Sequence, residues 1–166
     1  MQASGEARSS AHGRVLFVER LRPLSAPDQQ ALDQLVSVCE ERGFRPPQAA
    51  DLVDATGLPA ERVAGLLARG IDEGRIEQVG DHLYGTNVIR GALVAIYRNC
   101  MAHDEELAIP PLRDALGTSR KFLIPLLEYV DSLGMTRLRG GVRVLLPNSA
   151  VCQQIADSMG PSSTGT

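Results

Sequence analysis

Residues 118–143 hold the side chains of this sequence that are best suited to bind an anion. They combine hydroxyl donors with ammonium and guanidinium groups, and they are Thr118, Ser119, Arg120, Lys121, Arg137, Arg139 and Arg143. Guanidinium groups bind phosphate oxygens through paired hydrogen bonds, and the free N–H groups at a helix start add further donors. The pattern therefore predicts a phosphate-binding surface.

The elements that position these side chains belong to an internal repeat with a period of sixty residues. Residues 52–83 recur at 112–143, and the matches fall on apolar helix positions and on glycines, which a fold unit must keep. Leu52, Asp54, Ala55, Gly57, Leu66, Leu67, Gly74 and Gly80 correspond to Leu112, Asp114, Ala115, Gly117, Leu126, Leu127, Gly134 and Gly140. The chain thus carries two copies of one small unit.

The two copies differ mainly in charge. Ala60, Glu61, Glu77, Val79 and Leu83 of the first copy become Arg120, Lys121, Arg137, Arg139 and Arg143 of the second. Cations at a helix start oppose the helix dipole by a few tenths to about 1 kcal/mol each, so Arg120 and Lys121 break a local rule twice. Such a violation often marks a site for a ligand, here an anion.

The uneven net charge supports this interpretation. Residues 27–90 hold six basic and eleven acidic side chains, whereas residues 118–146 hold five basic and two acidic ones. We expect the acidic first copy not to bind an anion and to act as a spacer or adaptor. The alternative is that the basic side chains form an ordinary solvated surface, with Glu128 and Asp131 pairing with some of them.

Each copy predicts the order helix, short helix, long helix, hairpin. In the first copy a helix begins near the Ser25 cap and ends at Gly43, and helices at about 48–56 and 59–73 precede strands at 75–79 and 82–84. The second copy predicts helices at about 88–102, 110–116 and 119–133. Pro125 lies inside the last of these, where we expect a kink or weakened first turns.

The number of residues in the turn of the second hairpin determines whether its arginines share one surface. If Leu138, Val142 and Val144 all face the core, the loop must hold an odd number of residues. The simplest solution is a three-residue turn, Gly140-Gly141-Val142. That register would place all three arginines of the hairpin on one exposed surface.

The predicted fold class is mainly α with small β wings, in tandem winged-helix domains, each a helix-turn-helix with a β hairpin. Residues 1–24 are predicted to be a flexible tail and a strand over 13–24, which we interpret as the remnant of a preceding unit. Residues 25–86 form winged helix A and residues 87–147 form winged helix B, which binds nucleic acid. We expect residues 148–166 to be a disordered tail, with one loose helical turn at most.

The sequence lacks the motifs of an enzyme or a metal site. His12, His82 and His103 lie on different predicted elements, no phosphate-loop motif is present, and Cys39, Cys100 and Cys152 are too dispersed for a zinc site or a disulfide framework. We expect three buried thiols, no cofactor, no metal and no catalytic activity. No signal peptide or membrane span is predicted, which favours a soluble, cytoplasmic protein.

The segment LRDALGTSRKFLIPLLEYVDSLGMTRLRGGVRVL at 112–145 resembles the last winged-helix domain of the selenocysteine-specific elongation factor SelB family. Residues 27–90, with FRPPQAADLVDATGLP, resemble the preceding winged helix of that family. The resemblance implies binding of the messenger-RNA hairpin that recodes UGA as selenocysteine, through the seven residues named first. It further implies that the GTPase and tRNA-binding domains of the family have no counterpart in this sequence.

Three functions remain open at this stage. The first is an RNA-hairpin-binding module, expected to be monomeric, with the ribosome as a further candidate partner. The second is a winged-helix regulator of duplex DNA, which would commonly form a dimer to match two half-sites. The third is a protein-interaction adaptor whose basic face binds an acidic partner.

Overall fold

The computed structural model describes residues 22–160 and, nearer the start of the chain, two short strands. These strands, β1 (Arg8–Ser9) and β2 (Val15–Leu16), pair in an antiparallel ladder. Of the strand predicted over 13–24, only Val15–Leu16 is described as a strand, and residues 22–24 have no regular structure. The remaining parts of the predicted tail and strand lie outside the described residues.

The first winged helix contains α1 (Ala26–Arg42), α2 (Ala49–Thr56), α3 (Ala60–Asp72), β3 (Ile76–Val79) and β4 (His82–Gly85). Ser25 caps α1 as predicted, since its hydroxyl accepts a hydrogen bond from the Asp28 amide at 3.3 Å. The apolar faces of the three helices meet around Leu32, Leu35 and Leu52, which are almost completely buried. The helical spacing of these residues is what brings them to one face.

The second winged helix repeats this order. It contains α4 (Thr86–Met101), α5 (Ile109–Leu116), α6 (Arg120–Ser132), β5 (Thr136–Arg139) and β6 (Val142–Leu145). β4 leads into α4 without a linker, and the Glu40 carboxylate of α1 accepts a hydrogen bond from the Asn87 amide at the start of α4. α6 continues through Pro125 as one helix. The predicted winged-helix fold is confirmed.

The second hairpin corrects the predicted register. Arg139 pairs with Val142, so the turn holds only Gly140 and Gly141, both with positive φ, as a two-residue hairpin turn requires. Leu138 is 56% exposed and Val142 is 40% exposed, so neither faces the core as we had predicted. The premise of an odd loop was therefore wrong, because a strand at the tip of a wing extends beyond the core that its first residues cover.

The predicted disordered tail at 148–166 is also wrong over Ala150–Ser158. Residues Ala150–Ser158 form α7, whose start is capped by the Ser149 hydroxyl. Cys152 and Ile155 are buried in the core of the second winged helix, together with Leu112, Leu127 and others. Three apolar residues at helical spacing were sufficient for a packed helix. Residues 161–166 lie outside the described residues.

A third apolar cluster joins the two winged helices. Val79 and Tyr84 of the first wing pack with Ile89, Ala92 and Leu126 of the second winged helix, and all five are at most 5% exposed. We call these five residues the inter-unit core. Each unit alone is near the lower size limit for a stable core, and shared burial relieves that limit.

Candidate nucleic-acid interface

The start of α6 presents cations to solvent, as the sequence predicted. Ser119 is the N-cap residue in an extended conformation, its hydroxyl makes no capping hydrogen bond, and the first turn contains no acidic residue. Arg120 and Lys121 are exposed. Helix-start amides and two cations thus face solvent together, an arrangement that attracts anions.

Thr118 is hydrogen-bonded to the first winged helix. Its hydroxyl donates a hydrogen bond of 2.7 Å to the Phe44 carbonyl of the first winged helix. Next to it, the Arg45 Nε donates to the Gly117 carbonyl at 3.1 Å. The hydroxyl proton of Thr118 is therefore committed within the protein, and the segment before α6 is tied to the first unit.

Lys121 lies beside the first wing. Its ammonium group is 5.3 Å from the ring centroid of Phe122, and that ring meets His82 of the first wing edge to face at 5.1 Å. An open cleft lies beside this contact. Here the cleft measures 340 Å³, and its wall includes Asp81, His82 and Lys121.

The second wing separates its arginines instead of gathering them. Arg137 and Arg139 lie on one face of the hairpin and are exposed, whereas Arg143 is opposite Leu138 on the other face. The Arg143 side chain is only 14% exposed and its Nε lies 3.0 Å from Oδ2 of Asp131 on α6. Our prediction of three arginines on one surface was wrong, because the two-residue turn reverses the side on which Arg143 lies.

Asp131 anchors the wing to α6. Besides Arg143, its carboxylate accepts a hydrogen bond of 2.6 Å from the Thr136 hydroxyl. Asp131 is eleven residues after Arg120, which is about 16 Å along a helix axis. The possibility that Asp131 pairs with a basic side chain, noted from the sequence, is confirmed for Arg143.

The cations of the two copies differ in their partners. Within residues 22–160, Arg120, Arg137 and Arg139 have no carboxylate partner, and Lys121 has only its contact with Phe122. In the first copy four arginines have carboxylate partners, in the pairs Arg42–Asp51, Arg62–Asp28, Arg69–Glu73 and Arg75–Asp33, and Arg45 donates to the Gly117 carbonyl. The second copy therefore presents more unpaired positive charge than the first.

The pKa values of the first copy's acids agree with this pairing. The Arg62 guanidinium beside Asp28 lowers the pKa of that carboxyl below its usual range. The Arg75 guanidinium does the same to the pKa of Asp33, and the Gln29 amide adds to that effect. Both carboxylates therefore stay charged and paired at neutral pH.

The structure also bears on the other sites that we considered. The three cysteines are free and buried, as predicted. Across the described part of the chain, no group of three His, Cys, Asp or Glu side chains is arranged to hold a metal ion. No helix in that part has both the length and the apolar character that crossing a membrane requires.

Sequence reasoning missed the residues by which the first unit holds α6. Phe44 accepts the Thr118 hydrogen bond through its carbonyl, and its side chain packs against the inter-unit core. Glu77 accepts a hydrogen bond from the Tyr129 hydroxyl at 3.2 Å, and Tyr84 is buried against the second unit. An aromatic residue at position 84 where the second copy has Val144 was the one available signal.

Comparison with known proteins agrees with this geometry. The family "Elongation factor SelB, winged helix" matches residues 99–145. The selenocysteine-specific elongation factor of Desulfomicrobium baculatum is 28% identical over 119 residues, which are 71% of this chain and 19% of that protein. The chain thus spans about a fifth of the length of this relative.

Two solved structures have the same architecture. The mRNA-binding domain of elongation factor SelB from E. coli, in complex with SECIS RNA, is 26% identical with a TM-score of 0.62, covering 74% of this chain and 98% of that domain. A bacterial selenocysteine-specific elongation factor EF-Sec, 20% identical with a TM-score of 0.55, covers 80% of this chain and 20% of its own, and shows the fold alone. The resemblance seen in the sequence is confirmed: residues 99–145 match the SelB winged-helix family, and the fold of the chain is similar to that of the SelB mRNA-binding domain.

Proposed function

We propose that the second winged helix binds a messenger-RNA stem-loop that directs selenocysteine insertion at UGA codons. The observation that carries the proposal is the set of exposed cations without carboxylate partners at the start of α6 and on the second wing. The solved SelB domain bound to SECIS RNA, which has the same tandem fold, supports RNA as the ligand.

The residues divide into two groups in this proposal. Contacts to phosphate come from Arg120 and Lys121 with the free amides and the Ser119 hydroxyl at the start of α6, and from Arg137 and Arg139 on the wing. Thr118 and Arg143 were predicted to bind RNA as well. Because both are hydrogen-bonded within the protein, the proposal gives them the role of holding α6 and the wing in place.

The shape of this surface suits a hairpin better than a long duplex. A-form RNA hides the edges of its bases in a deep, narrow groove, so proteins read it through the backbone and through unpaired bases in loops and bulges. Four exposed cations at two separate places give a compact footprint. A protein with a net charge of −3 has little further positive surface for an extended duplex.

The direct test is a binding titration with the full chain. Affinity for stem-loops taken from in-frame UGA genes of the host is compared with affinity for a mixed-sequence DNA duplex while the salt concentration is raised. Four phosphate contacts predict a slope of log affinity against log salt of about −3. Equal affinity for the stem-loop and for duplex DNA, at every salt concentration, would refute the RNA assignment.

The variants test whether RNA affinity depends on the arginines of the interface or on the net charge of the protein. Arg120→Gln and Arg139→Gln should each weaken stem-loop binding by about 1 to 3 kcal/mol. Arg62→Gln is the matched control, because Arg62 is an exposed arginine on the corresponding helix of the first copy but is paired with Asp28. This control should leave RNA affinity unchanged.

The two other functions that the sequence left open are outcomes of the same experiment. A dimer in sedimentation with a preference for duplex DNA would indicate a regulator of transcription. Failure to bind any nucleic acid, together with loss of a protein partner in Arg120→Glu, would indicate an adaptor. The proposal itself assigns no catalytic step to this chain, places it in the cytoplasm beside the ribosome, and leaves GTP hydrolysis and tRNA binding to other domains.

A further inference from the structure

The wing of the first copy is buried where the wing of the second copy is exposed. Val79 and Tyr84 are each 1% exposed in the inter-unit core. Their counterparts sixty residues later are Arg139, which is exposed, and Val144, which is half-buried. The same hairpin thus meets a protein surface in one copy and solvent in the other.

Polar contacts hold α6 at two places along its length. Before its first residue, the Thr118 hydroxyl donates to the Phe44 carbonyl at 2.7 Å, and Arg45 donates to the Gly117 carbonyl at 3.1 Å. Three residues before its end, the Tyr129 hydroxyl donates to Glu77 of the first wing at 3.2 Å. The inter-unit core lies between them, with Leu126 of α6 only 1% exposed.

We propose that the first winged helix is a positioning element for α6: its wing and the Phe44–Arg45 segment fix the helix whose start binds RNA. This inference rests on the proposed function, and it replaces the role of spacer that the acidic charge suggested. It also explains two of the charge differences between the copies, at positions 77 and 79. Position 79 must be apolar to enter the inter-unit core, and position 77 must accept a hydrogen bond, whereas positions 139 and 137 face solvent and are free to carry arginine.

The physical benefit is preorganisation. A helix start that is already fixed loses less conformational entropy when it binds, and phosphate contacts require its donors to be held within a fraction of an ångström. In this structure the donors at Ser119 and Arg120 directly follow the Gly117–Thr118 segment that the first unit holds. Release of that segment would leave the charges of the cationic side chains unchanged, but it would lower RNA affinity.

The first test needs no RNA. Amide hydrogen exchange is measured on the full chain at Leu123, Ile124 and Leu126 of α6. Thr118→Val removes one hydrogen bond to the first unit, and exchange at these amides should become about fivefold faster. Thr118→Ser keeps the hydroxyl and should restore the original rates, which a simple loss of side-chain volume would not do.

Two further substitutions complete the exchange experiment. Tyr129→Phe removes the hydroxyl that donates to Glu77, and it should also speed exchange in α6. Tyr97→Phe is the matched control, because Tyr97 packs against the core of the second winged helix and not against the first unit. Thr56→Val is the control for Thr118→Val, since the Thr56 hydroxyl bonds only within the first unit.

The second test measures stem-loop affinity of the same variants. Thr118→Val and Tyr129→Phe should each raise Kd by about three- to tenfold, with an unchanged salt slope, because the phosphate contacts in the complex are retained. Unchanged exchange in both variants, or faster exchange with unaltered Kd, would overturn the positioning role. If the unmodified chain does not bind the stem-loop, the proposed function fails, and the exchange rates alone decide whether the first unit fixes α6.

Discussion

Arg143 and Arg139 lie on opposite faces of the second wing, and neutralising each should affect a different property of the protein. Sequence reasoning treated them as equivalent RNA ligands. In the structure Arg143 is 14% exposed and paired with Asp131, whereas Arg139 is exposed and has no partner among the described residues. We therefore expect Arg143→Gln to reduce the stability of the protein and Arg139→Gln to reduce its RNA affinity.

The size of the stability loss follows from the contact that is broken. The Nε–Oδ2 distance of 3.0 Å is a good hydrogen bond, and the Asp131 side chain is 26% exposed. Hydrogen bonds to charged groups contribute about 1.5–3 kcal/mol, and partial exposure of both partners reduces this to about 1–2 kcal/mol. For a chain of this size, each kcal/mol lowers Tm by about 2–4 °C.

The assays are urea unfolding for stability and fluorescence anisotropy with a labelled stem-loop for binding. Arg139→Gln should change the unfolding free energy by less than about 0.5 kcal/mol, because it alters an unpaired surface side chain. Its salt slope should fall by about 1. Arg143→Gln should leave the salt slope unchanged. Arg137→Gln, an exposed arginine on the same face as Arg139, should behave like Arg139→Gln.

The reasoning would be refuted by the reverse result, in which Arg143→Gln lowers the salt slope by about 1 and leaves unfolding unaffected. A double-mutant cycle makes the test sharper. If Arg143 and Asp131 act as a pair, the double variant Arg143→Gln with Asp131→Asn should be less destabilised than the sum of the single variants. Strict additivity would show that the pair contributes no coupling energy.

Three other predictions follow from the same structure. Lys121→Gln should weaken stem-loop binding with a salt slope reduced by about 1, measured by anisotropy, and should not change urea unfolding. Leu126→Ala should lower the unfolding free energy by about 2–5 kcal/mol, because Leu126 is 1% exposed in the inter-unit core, and urea unfolding measures this. Stability should fall as the pH rises above about 9, measured by unfolding at a series of pH values. Burial raises the pKa of Cys39 and Cys100 to about 11 and that of Tyr84 to about 12. The unfolded state therefore loses these protons first, and the stabilisation is lost as the pH approaches the folded pKa values.

The sequence predicted the fold because every local signal agreed. Helical spacing of apolar residues, the Ser25 cap and the glycines after each long helix all specified the same order of elements in both copies. The internal repeat added the tandem arrangement, and the family resemblance added RNA as the expected ligand. The cations at the start of α6 were also predictable, because they oppose the helix dipole without a compensating acid nearby.

The errors came from contacts between elements that are distant in sequence. The register of the second wing depended on where the core ends, and an alternating pattern cannot show that Leu138 extends beyond it. The role of Thr118 depended on the Phe44 carbonyl, which every residue type provides equally. α7 was missed because a nine-residue helix with few apolar positions is stable only when packed against a partner.

The position of α7 determines where this protein can be shortened. The sequence suggested a domain boundary at residue 147, and a recombinant product that ends there would lose the helix that buries Cys152 and Ile155. Its newly bare apolar surface would promote aggregation, and low solubility would then be mistaken for an inability to bind RNA. Expression of the second winged helix should therefore extend at least to Met159, the C-cap residue of α7.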